Sequence, residues 1–385
     1  MTQTKRIAVL LIHGLTGMPS EMRPIEKYAA SMGLEVATPL LAGHGSTDAD
    51  LLAATGIQWL ESARVALRSL LERNDSVVVC GLSMGGTMAA ILAAEEPERV
   101  SGVVILSPTL AYDASNMKEL PIIRWMRTQF VRDVMHDVCT IFPVVGRTLY
   151  WTETPPYGLK DERLQKQITK AVEAARSGEN TSYGLFRTYF GSLREMNLLN
   201  RDLRKIAHKI FCPVLILHSY EDTLASMSNA TNMFALLPAA NYRRLAVLTG
   251  CDHVLTLDLQ RHLVCKIIGE FIAEIGGAGV GVPAEKKKEY APAIELLAQK
   301  GQATAAGDGQ PESLSLTLRI DGEKRRTVSV LIANSKNGSE SRVFRDDQWQ
   351  AGADGPTLED VTERLLGCLS RSIHIPAKSI VVDAK

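Results

Sequence analysis

The sequence lacks the cysteine spacings of a metal site or of a disulfide framework. It has six cysteines in 385 residues, and no two of them form a C-x-x-C pair. Cys80 and Cys212 lie within apolar runs, which is typical of reduced, buried thiols. We therefore expect no structural zinc ion and no disulfide-stabilised secreted domain, and we expect the protein to be cytoplasmic.

The sequence also lacks an excess of charge and a long apolar run. Lysine and arginine together number 43, as do aspartate and glutamate, so no overall field favours nucleic acid or an anionic membrane. The apolar run from Ile7 to Ile12 is too short for a signal peptide and is followed by His13. No other run approaches the roughly 20 residues that cross a bilayer. We expect no nucleic-acid partner and no membrane span.

Apolar runs and helical patterns alternate through residues 1–275. Continuous apolar runs, rather than alternating ones, are typical of strands that are covered on both faces. The runs that predict strands are 6–14, 76–81, 100–108, 212–219 and 242–250. Segments 57–73 and 85–98 between them carry helical patterns. This order predicts an α/β fold with a mostly parallel, doubly wound sheet.

Residues 109–205 interrupt the alternation and predict an inserted helical cap over the sheet. Segments 119–135 and 161–176 carry helical patterns, and Pro155-Pro156 separates them. One face of the second pattern is apolar and consists of Leu164, Ile168, Val172 and Ala175. The cap belongs to a predicted domain of residues 1–275.

The composition changes after residue 275, which predicts a domain boundary. Residues 276–312 are rich in Gly, Ala and polar residues, include one short helical pattern, and predict a linker. Residues 313–385 predict a small ββαβ-like α+β module of unknown role, with a hairpin turn at Asp321-Gly322. Exposed strand edges in that module could pair with a protein partner or with a second copy of the chain.

The stretch VVVCGLSMGGTMAA, residues 77–90, joins an apolar strand to a helix of small residues. It contains Gly81-Leu82-Ser83-Met84-Gly85, a G-x-S-x-G pattern. In that pattern the serine sits on a sharp, strained turn, and the flanking glycines let strand and helix pack closely. The alternative is an ordinary strand-to-helix turn. We favour Ser83 as a nucleophile because a base and an acid follow it.

A serine hydroxyl is a weak nucleophile unless a histidine removes its proton and an acid orients that histidine. His253 follows the last predicted strand of the domain and is the best-placed base. Asp222 ends the preceding strand and is our choice of acid, with Glu221 as the alternative. Asp252 is poorly placed to reach the ring of its neighbour, and Asp258 is expected to cap the following helix. The order of serine, acid and histidine is that of the α/β hydrolases.

An oxyanion that develops on the substrate also needs hydrogen-bond donors. The amide of Met84, directly after the nucleophile, is one candidate. The amide of Leu15, in the turn after the first strand, is the other. His13 and His44 are expected to support loops rather than to act as bases, although a cleft contact remains an alternative for His44. His218 is expected to be a satisfied core histidine.

These motifs, in this order, resemble the carboxylesterase and monoacylglycerol-lipase branch of the α/β-hydrolase fold. The matching segments are LLIHGLTG, PLLAGHG, IQWLESARVAL, VVVCGLSMGG, VLILHSYED and GCDHVLTLD, and they span about residues 5–275. The resemblance implies a catalytic triad of Ser83, Asp222 and His253, and an oxyanion hole formed by the amides of Leu15 and Met84. It also implies a cap before the strand that carries the acid. The family often has an aromatic residue where Leu15 stands, and it has no recognised counterpart of the tail.

The sequence therefore predicts a serine carboxylesterase that needs no metal and no cofactor. Its predicted substrates are short- to medium-chain acyl esters, with monoacylglycerols among the candidates, cleaved through an acyl-enzyme on Ser83. An apolar acyl tunnel is expected from cap residues, at least half of which are expected to pack the cap instead: Ile122, Ile123, Trp125, Met126, Phe130, Phe142, Trp151, Tyr183, Phe186, Tyr189 and Phe190. A thioesterase or acyltransferase with the same triad is an alternative, and so is a non-catalytic ligand receptor on the same fold.

Overall fold

Strands alternate with helices along residues 6–276, as the apolar runs predicted. The computed structural model describes residues 6–113, 134, 137–176, 184–276, 293–300, 314–321, 326–332, 368 and 380–384. The strands are β1 (Ile7–Ile12), β2 (Glu35–Ala37), β3 (Ser76–Leu82), β4 (Val100–Leu106), β5 (Tyr150–Thr152), β6 (Arg187–Tyr189), β7 (Val214–Ser219), β8 (Tyr242–Leu248), β9 (Ala293–Lys300), β10 (Leu314–Asp321), β11 (Arg326–Ile332) and β12 (Ile380–Ala384). The helices are α1 (Arg23–Ser31), α2 (Asp48–Ala53), α3 (Gly56–Leu71), α4 (Met84–Glu95), α5 (Pro143–Thr148), α6 (Glu162–Arg176), α7 (Phe190–Ile206), α8 (Met227–Leu236) and α9 (Arg261–Gly276).

Six strands form a parallel sheet in the order β2-β1-β3-β4-β7-β8. The five predicted strands are all present in it, and the prediction of a mostly parallel, doubly wound sheet is confirmed. β2 was not predicted because three residues, one of them exposed, make no apolar run. Parallel strands place their carboxyl ends at one edge of the sheet, so the loops that follow β1, β3, β4, β7 and β8 are neighbours.

Helices cover both faces of the sheet, and each face has its own core. All six residues of β1 are buried, and successive side chains enter opposite cores. Leu10 packs in the core that includes Trp59 of α3, whereas Leu11 packs in the core that includes Phe271 of α9. Burial of each such side chain contributes about 1.5–3 kcal/mol. This two-sided burial explains why the strands read as continuous apolar runs.

The predicted cap region contains short strands as well as helices. Helix α6 confirms the pattern predicted over 161–176, and Ile168 and Val172 on its apolar face are buried. The helix predicted over 119–135 lies outside the described residues except for position 134. β5 and β6 pair antiparallel and were not predicted, because three-residue strands carry too little periodicity. Within the described residues, no helix combines the length and apolar character needed to cross a membrane.

After residue 276 the chain adds antiparallel strands to the far side of β8. β9 pairs with β8, and β10, β11 and β12 continue the sheet beyond it. The predicted hairpin of β10 and β11 is confirmed. β9 lies within the range predicted as a linker with a short helix. Pairing with the backbone of β8 on one side and β10 on the other overrides that local pattern. The proposed division at residue 275 stays a prediction.

Candidate active site

Ser83 lies between β3 and α4 in a left-handed backbone conformation, with φ 54° and ψ −116°. A Cβ atom on Gly81 would lie 2.0 Å from the Gly85 carbonyl oxygen, and one on Gly85 would lie 2.3 Å from the Ile12 carbonyl oxygen. Only glycine fits at either position, because the strand, the helix and β1 approach one another this closely. The sharp turn that the G-x-S-x-G pattern predicted is therefore present, and it directs Ser83 to the carboxyl edge of the sheet.

The Ser83 hydroxyl is buried and hydrogen-bonded. Its Oγ lies 2.9 Å from Thr109 Oγ1, and the Thr109 hydroxyl donates to the Ser107 carbonyl oxygen at 3.1 Å. Because the Thr109 proton is used in that bond, Ser83 is the donor to Thr109. Ser107 and Thr109 follow β4, the strand next to β3.

Asp222 and His253 form a buried hydrogen-bonded pair. Asp222 Oδ2 lies 2.7 Å from His253 Nδ1, while Asp222 Oδ1 accepts from the amides of Leu224 at 2.9 Å and Ala225 at 2.7 Å. Burial opposes ionisation of Asp222, but the charge and hydrogen bond of His253 hold its pKa below the usual value. Burial likewise opposes protonation of His253, but the Asp222 carboxylate raises its pKa above the usual value. The pair can therefore orient the imidazole and stabilise its cation.

Ser83 and His253 line the same cavity, which has a volume of about 350 Å³. Leu15, from the loop after β1, lines it as well. Met84 is buried as the first residue of α4, where the amide has no partner within the helix. The structure thus brings the predicted nucleophile, base and oxyanion donors to one end of the sheet, with Asp222 directly behind His253.

Hydroxyl groups fix the loop that carries His253. Ser107 Oγ donates to the His253 carbonyl oxygen at 2.6 Å, and Ser219 Oγ donates to the Cys251 carbonyl oxygen at 2.6 Å. Asp252 accepts from the backbone amide of Thr223 at 2.7 Å and from the backbone amide of His253 at 2.8 Å. Its carboxylate therefore supports the loop and, as the sequence predicted, does not bond to the imidazole.

Glu221, the alternative acid, is engaged elsewhere. Its Oε2 accepts from the Gly250 amide at 2.6 Å, and its Oε1 forms an ion pair with Lys160. Both carboxylate oxygens of Glu221 are therefore engaged by groups other than the His253 ring. The geometry favours Asp222 as the acid.

Asp258 does more than the helix cap that the sequence predicted. Its Oδ1 accepts from the amides of Lys160, Asp161 and Leu259, each at 2.9 Å, and its Oδ2 accepts from the Asp252 amide at 2.6 Å. The expectation of a simple cap is wrong because α9 begins only at Arg261. The carboxylate instead ties the His253 loop to the segment of the predicted cap directly before α6.

The other histidines near the site support structure. His13 bonds through Nδ1 to the Gly14 carbonyl oxygen at 2.9 Å and through Nε2 to the Leu41 amide at 3.3 Å. Burial, together with the neighbouring His44, lowers its pKa to about 3. His44 bonds through Nδ1 to the Ala42 carbonyl oxygen at 3.1 Å, and burial lowers its pKa to about 4. The prediction that both histidines support loops is confirmed.

His218 lies in the core, but it is not satisfied as predicted. It is fully buried in β7, and neither ring nitrogen has a hydrogen-bond partner among the described residues. Its Nδ1 lies 3.9 Å from Asp222 Oδ2, which is beyond hydrogen-bond distance. Burial lowers the pKa of His218, so the ring is neutral at ordinary pH.

The cavity has an apolar wall that only partly matches the predicted tunnel. Of the predicted tunnel residues, Phe186 lines it, whereas Phe142 is exposed and Trp151 packs edge-on against Phe190. Tyr189 is buried and stacks against Tyr150. Residues 122, 123, 125, 126, 130 and 183 lie outside the described residues. The aliphatic residues of the lining are Leu15, Leu82, Leu159, Leu164, Ile168, Leu185, Leu224, Val254 and Leu257.

Two carboxyl groups in the cavity wall escaped the sequence analysis. Glu21 and Glu153 both line it, and burial raises the pKa of each. Glu153 Oε1 accepts from Trp151 Nε1 at 3.0 Å and from Thr188 Oγ1 at 2.9 Å. Neither glutamate belongs to a motif, so only the fold reveals that they face the site.

Comparison with known proteins assigns the chain to a family. A family model described as Hydrolase_4, serine aminopeptidase, S33, matches residues 3–260. A thermostable monoacylglycerol lipase of Bacillus sp. (strain H-257) is 28% identical over 276 residues, which are 70% of this chain and 92% of that protein. A carboxylesterase of Bacillus subtilis (strain 168) is 20% identical over 269 residues, which are 70% of this chain and 93% of that protein. The crystal structure of Paleococcus ferrophilus monoacylglycerol lipase shares the fold, with a TM-score of 0.54, 17% identity, and coverage of 69% of this chain and 94% of that one.

Proposed function

Because the chain belongs to the serine aminopeptidase S33 family of α/β hydrolases, we propose that it cleaves monoacylglycerols with short- to medium-chain acyl groups through an acyl-enzyme on Ser83. The family assignment confirms the resemblance that the motifs indicated, and the chain is an ester-hydrolysing serine hydrolase. The proposal rests mainly on one observation: His253, hydrogen-bonded to Asp222, lines the same cavity as a serine on a strained turn.

Acylation begins when the Ser83 hydroxyl leaves Thr109 and turns to His253. Its Oγ attacks the ester carbonyl carbon while the free imidazole nitrogen of His253 takes the hydroxyl proton. The carbonyl oxygen becomes an oxyanion, which the amides of Leu15 and Met84 stabilise. His253 then gives its proton to the leaving alcohol as the carbon–oxygen bond breaks, and Asp222 stabilises the imidazolium throughout.

Deacylation repeats these steps with water as the nucleophile. His253 removes a proton from the water, whose oxygen attacks the acyl carbon, and the same two amides stabilise the second oxyanion. The bond to Ser83 Oγ breaks, His253 returns the proton to that oxygen, and the carboxylic acid leaves.

The size and lining of the cavity support the acyl-chain range. A volume of about 350 Å³ is near the lower end of the 300–1,000 Å³ that is typical of ligand pockets. Leu164 and Ile168 on α6, together with Phe186, form an apolar wall that suits an acyl chain. A cavity of this size favours short and medium chains over long ones.

Glu153 supports a polyhydroxylated leaving alcohol. Glu153 lines the cavity, and both of its described hydrogen bonds engage Oε1, which leaves Oε2 to accept from a ligand hydroxyl. A glycerol group offers hydroxyl donors next to the ester, whereas a simple alkyl alcohol offers none once it is esterified. The likeness to a bacterial monoacylglycerol lipase points to the same substrate class.

Fluorophosphonate labelling and turnover of the Ser83→Ala variant test the proposed nucleophile. We expect one covalent adduct on Ser83 in the parent protein, and loss of both the adduct and ester turnover in the variant. Ser31→Ala is the matched control, because Ser31 is exposed on α1 and its hydroxyl donates to the Tyr28 carbonyl oxygen, away from the cavity lining among the described residues. Near-normal turnover by Ser83→Ala would refute the mechanism, and an unlabelled parent protein would favour a ligand receptor.

A substrate series tests the proposed specificity. Monoacylglycerols with acyl chains from two to sixteen carbons should show a maximum of kcat/KM at a medium length. Methyl esters and coenzyme A thioesters of the preferred acid should be poorer substrates than the monoacylglycerol. A flat length profile, or a preference for the thioester, would contradict the proposed substrate class while leaving the nucleophile intact.

A further inference from the structure

The carboxyl group of Glu21 lies beside the loop that follows β1, although the mechanism above gives it no step. Glu21 belongs to the short 3-10 helix Pro19–Met22, directly before α1. Its side chain lines the cavity together with Leu15, Ser83 and His253. A carboxyl group at this place is close to the amide proposed to stabilise the oxyanion.

The loop folds around this carboxyl group. The Gly14 amide donates to Glu21 Oε2 at 3.4 Å, and the Gly17 amide donates to the Gly14 carbonyl oxygen at 3.2 Å. A Cβ atom on Gly17 would lie only 2.2 Å from the same Oε2. The carboxyl group therefore fills the inside of the turn, and Leu15 lies between the two glycines that contact it.

The charge of Glu21 depends on pH in the neutral range. Partial burial raises its pKa to about 7, while the Gly14 amide and the charge of His253 act in the opposite direction. Besides His253, the other titratable or charged groups that line the cavity are Arg23 at the start of α1, Tyr112 after β4, and Glu153 and Tyr157 after β5. Glu21 forms no ion pair among the described residues, so no fixed positive partner holds it ionised.

We propose that Glu21 is a positioning residue: it holds the loop that presents the Leu15 amide, and its charge sets how well that loop stabilises an oxyanion beside Ser83. This inference rests on the proposed ester hydrolysis. A neutral carboxyl group supports the loop without opposing negative charge. A carboxylate in the same place repels the oxyanion, so ester hydrolysis declines as Glu21 ionises.

The pH dependence of kcat/KM for Glu21→Gln tests the role of the charge. Glutamine keeps an acceptor for the Gly14 amide and cannot ionise. We expect its kcat/KM to match the parent value within about twofold near pH 6, where Glu21 is neutral. At pH 9 the variant should be faster than the parent protein by on the order of tenfold, because a nearby like charge is absent. The alkaline decline of the parent profile should disappear.

The Glu21→Ala variant tests the positioning role. Alanine removes the support inside the turn, so kcat should fall at every pH by on the order of tenfold, with KM changed little. Partial loss of one oxyanion donor explains this pattern, and glutamine should restore kcat where alanine does not. Glu26→Gln, on α1 and outside the cavity lining, is the control for a change of charge alone and should follow the parent profile.

Two results would overturn the inference. One is an alkaline decline in Glu21→Gln that matches the parent protein, and the other is a parental kcat in a folded Glu21→Ala protein. Thermal unfolding shows whether each variant is folded, and the Gln profile remains decisive if the Ala variant is not. Phosphonate labelling of Ser83 separates the role of Glu21 from the proposed ester hydrolysis. A labelled enzyme without the Glu21 effect refutes only the role of Glu21. An unlabelled enzyme refutes the proposed function.

Discussion

The Oγ atoms of Ser83 and Thr109 lie 2.9 Å apart, so the proposed nucleophile is hydrogen-bonded to a neighbouring hydroxyl. The described hydrogen bonds include none between Ser83 and His253. Asn200 on α7 bonds through Nδ2 to the Thr109 carbonyl oxygen at 3.3 Å and accepts from the Thr87 hydroxyl at 2.8 Å. This buried network holds Thr109 in place, and Ser83 must leave it before His253 can take its proton.

Replacement of Thr109 by valine should make Ser83 more reactive. Valine has nearly the same shape but offers no acceptor, so the serine hydroxyl loses one acceptor that competes with His253. A neutral hydrogen bond has a net value of about 0.5–1.5 kcal/mol, which corresponds to about a two- to tenfold rise in the rate constant for phosphonate labelling. Stopped-flow or competitive labelling under pseudo-first-order conditions measures that constant.

Thr87→Val is the matched control for Thr109→Val. Thr87 is equally buried and belongs to the same network, but its hydroxyl bonds to Asn200 rather than to Ser83. It should lower stability without raising the labelling rate. A labelling rate that falls in Thr109→Val would instead mean that the threonine holds Ser83 in its reactive orientation.

Exchange of Asp222 for asparagine should nearly abolish turnover. Asparagine cannot stabilise the imidazolium or fix the required tautomer, so kcat should fall by on the order of 10³–10⁴. The Asp222 charge raises the pKa of His253, so its loss should also lower that pKa. His253 would then stay neutral, and able to act as a base, at lower pH. The acid limb of the pH profile of the residual activity should therefore move to lower pH.

Glu221→Gln separates this role from a general effect of charge near the loop. Glu221 binds the Gly250 amide and Lys160, and its loss should destabilise the loop modestly while kcat changes by less than about threefold. The reverse pattern, a severe loss in Glu221→Gln and a mild one in Asp222→Asn, would transfer the role of acid to Glu221.

The sequence was sufficient for the features that depend on local pattern. Continuous apolar runs predicted the five strands, since burial on both faces removes any need for alternation. The G-x-S-x-G pattern predicted the turn at Ser83, because Gly81 and Gly85 stand where no side chain fits. Asp222 was chosen over Glu221 at the end of the preceding strand and agrees with the family resemblance, whereas Asp252 was set aside for its poor reach to the imidazole. The hydrogen bond of Asp222 to His253 supports that choice.

Features that depend on contacts between distant segments were beyond the sequence. Glu21 and Glu153 are separated by a long stretch of chain, and only the fold brings both into one cavity wall. Thr109 follows β4 without any motif, so its bond to Ser83 has no sequence signal. The segment of β9 was expected to be part of a linker. No sign of a strand is visible there in the sequence, because its pairing with β8 is decided by the open edge of the sheet rather than by local preference.

Substitution of Glu153 by alanine should affect glycerol esters selectively. Its carboxyl group is proposed to accept a hydrogen bond from a glycerol hydroxyl, and a hydrogen bond contributes about 0.5–1.5 kcal/mol net. The kcat/KM for a monoacylglycerol should therefore fall by about two- to tenfold, while that for the methyl ester of the same acid changes little. Steady-state kinetics on the two esters gives the ratio directly.

Glu162→Ala controls for the loss of a glutamate near the cavity. Glu162 begins α6, and its side chain is 81% exposed. It should leave the ratio between the two esters unchanged. An equal loss on both esters in Glu153→Ala would indicate that the residue supports the fold through Trp151 and Thr188 and does not recognise the alcohol.

Removal of the chain after residue 280 should leave the chemistry largely intact while opening an edge of the sheet. Every residue of the proposed site precedes residue 260, and β8 keeps its parallel pairing with β7. The truncation removes β9, so β8 presents unpaired backbone groups to solvent. We expect kcat/KM within about threefold of the full chain, a lower unfolding temperature, and a greater tendency to self-associate on size-exclusion chromatography.

A second truncation after residue 305 keeps β9 as the edge and should restore much of the lost stability. A folded, monomeric truncation without activity would show instead that the tail contributes to the site.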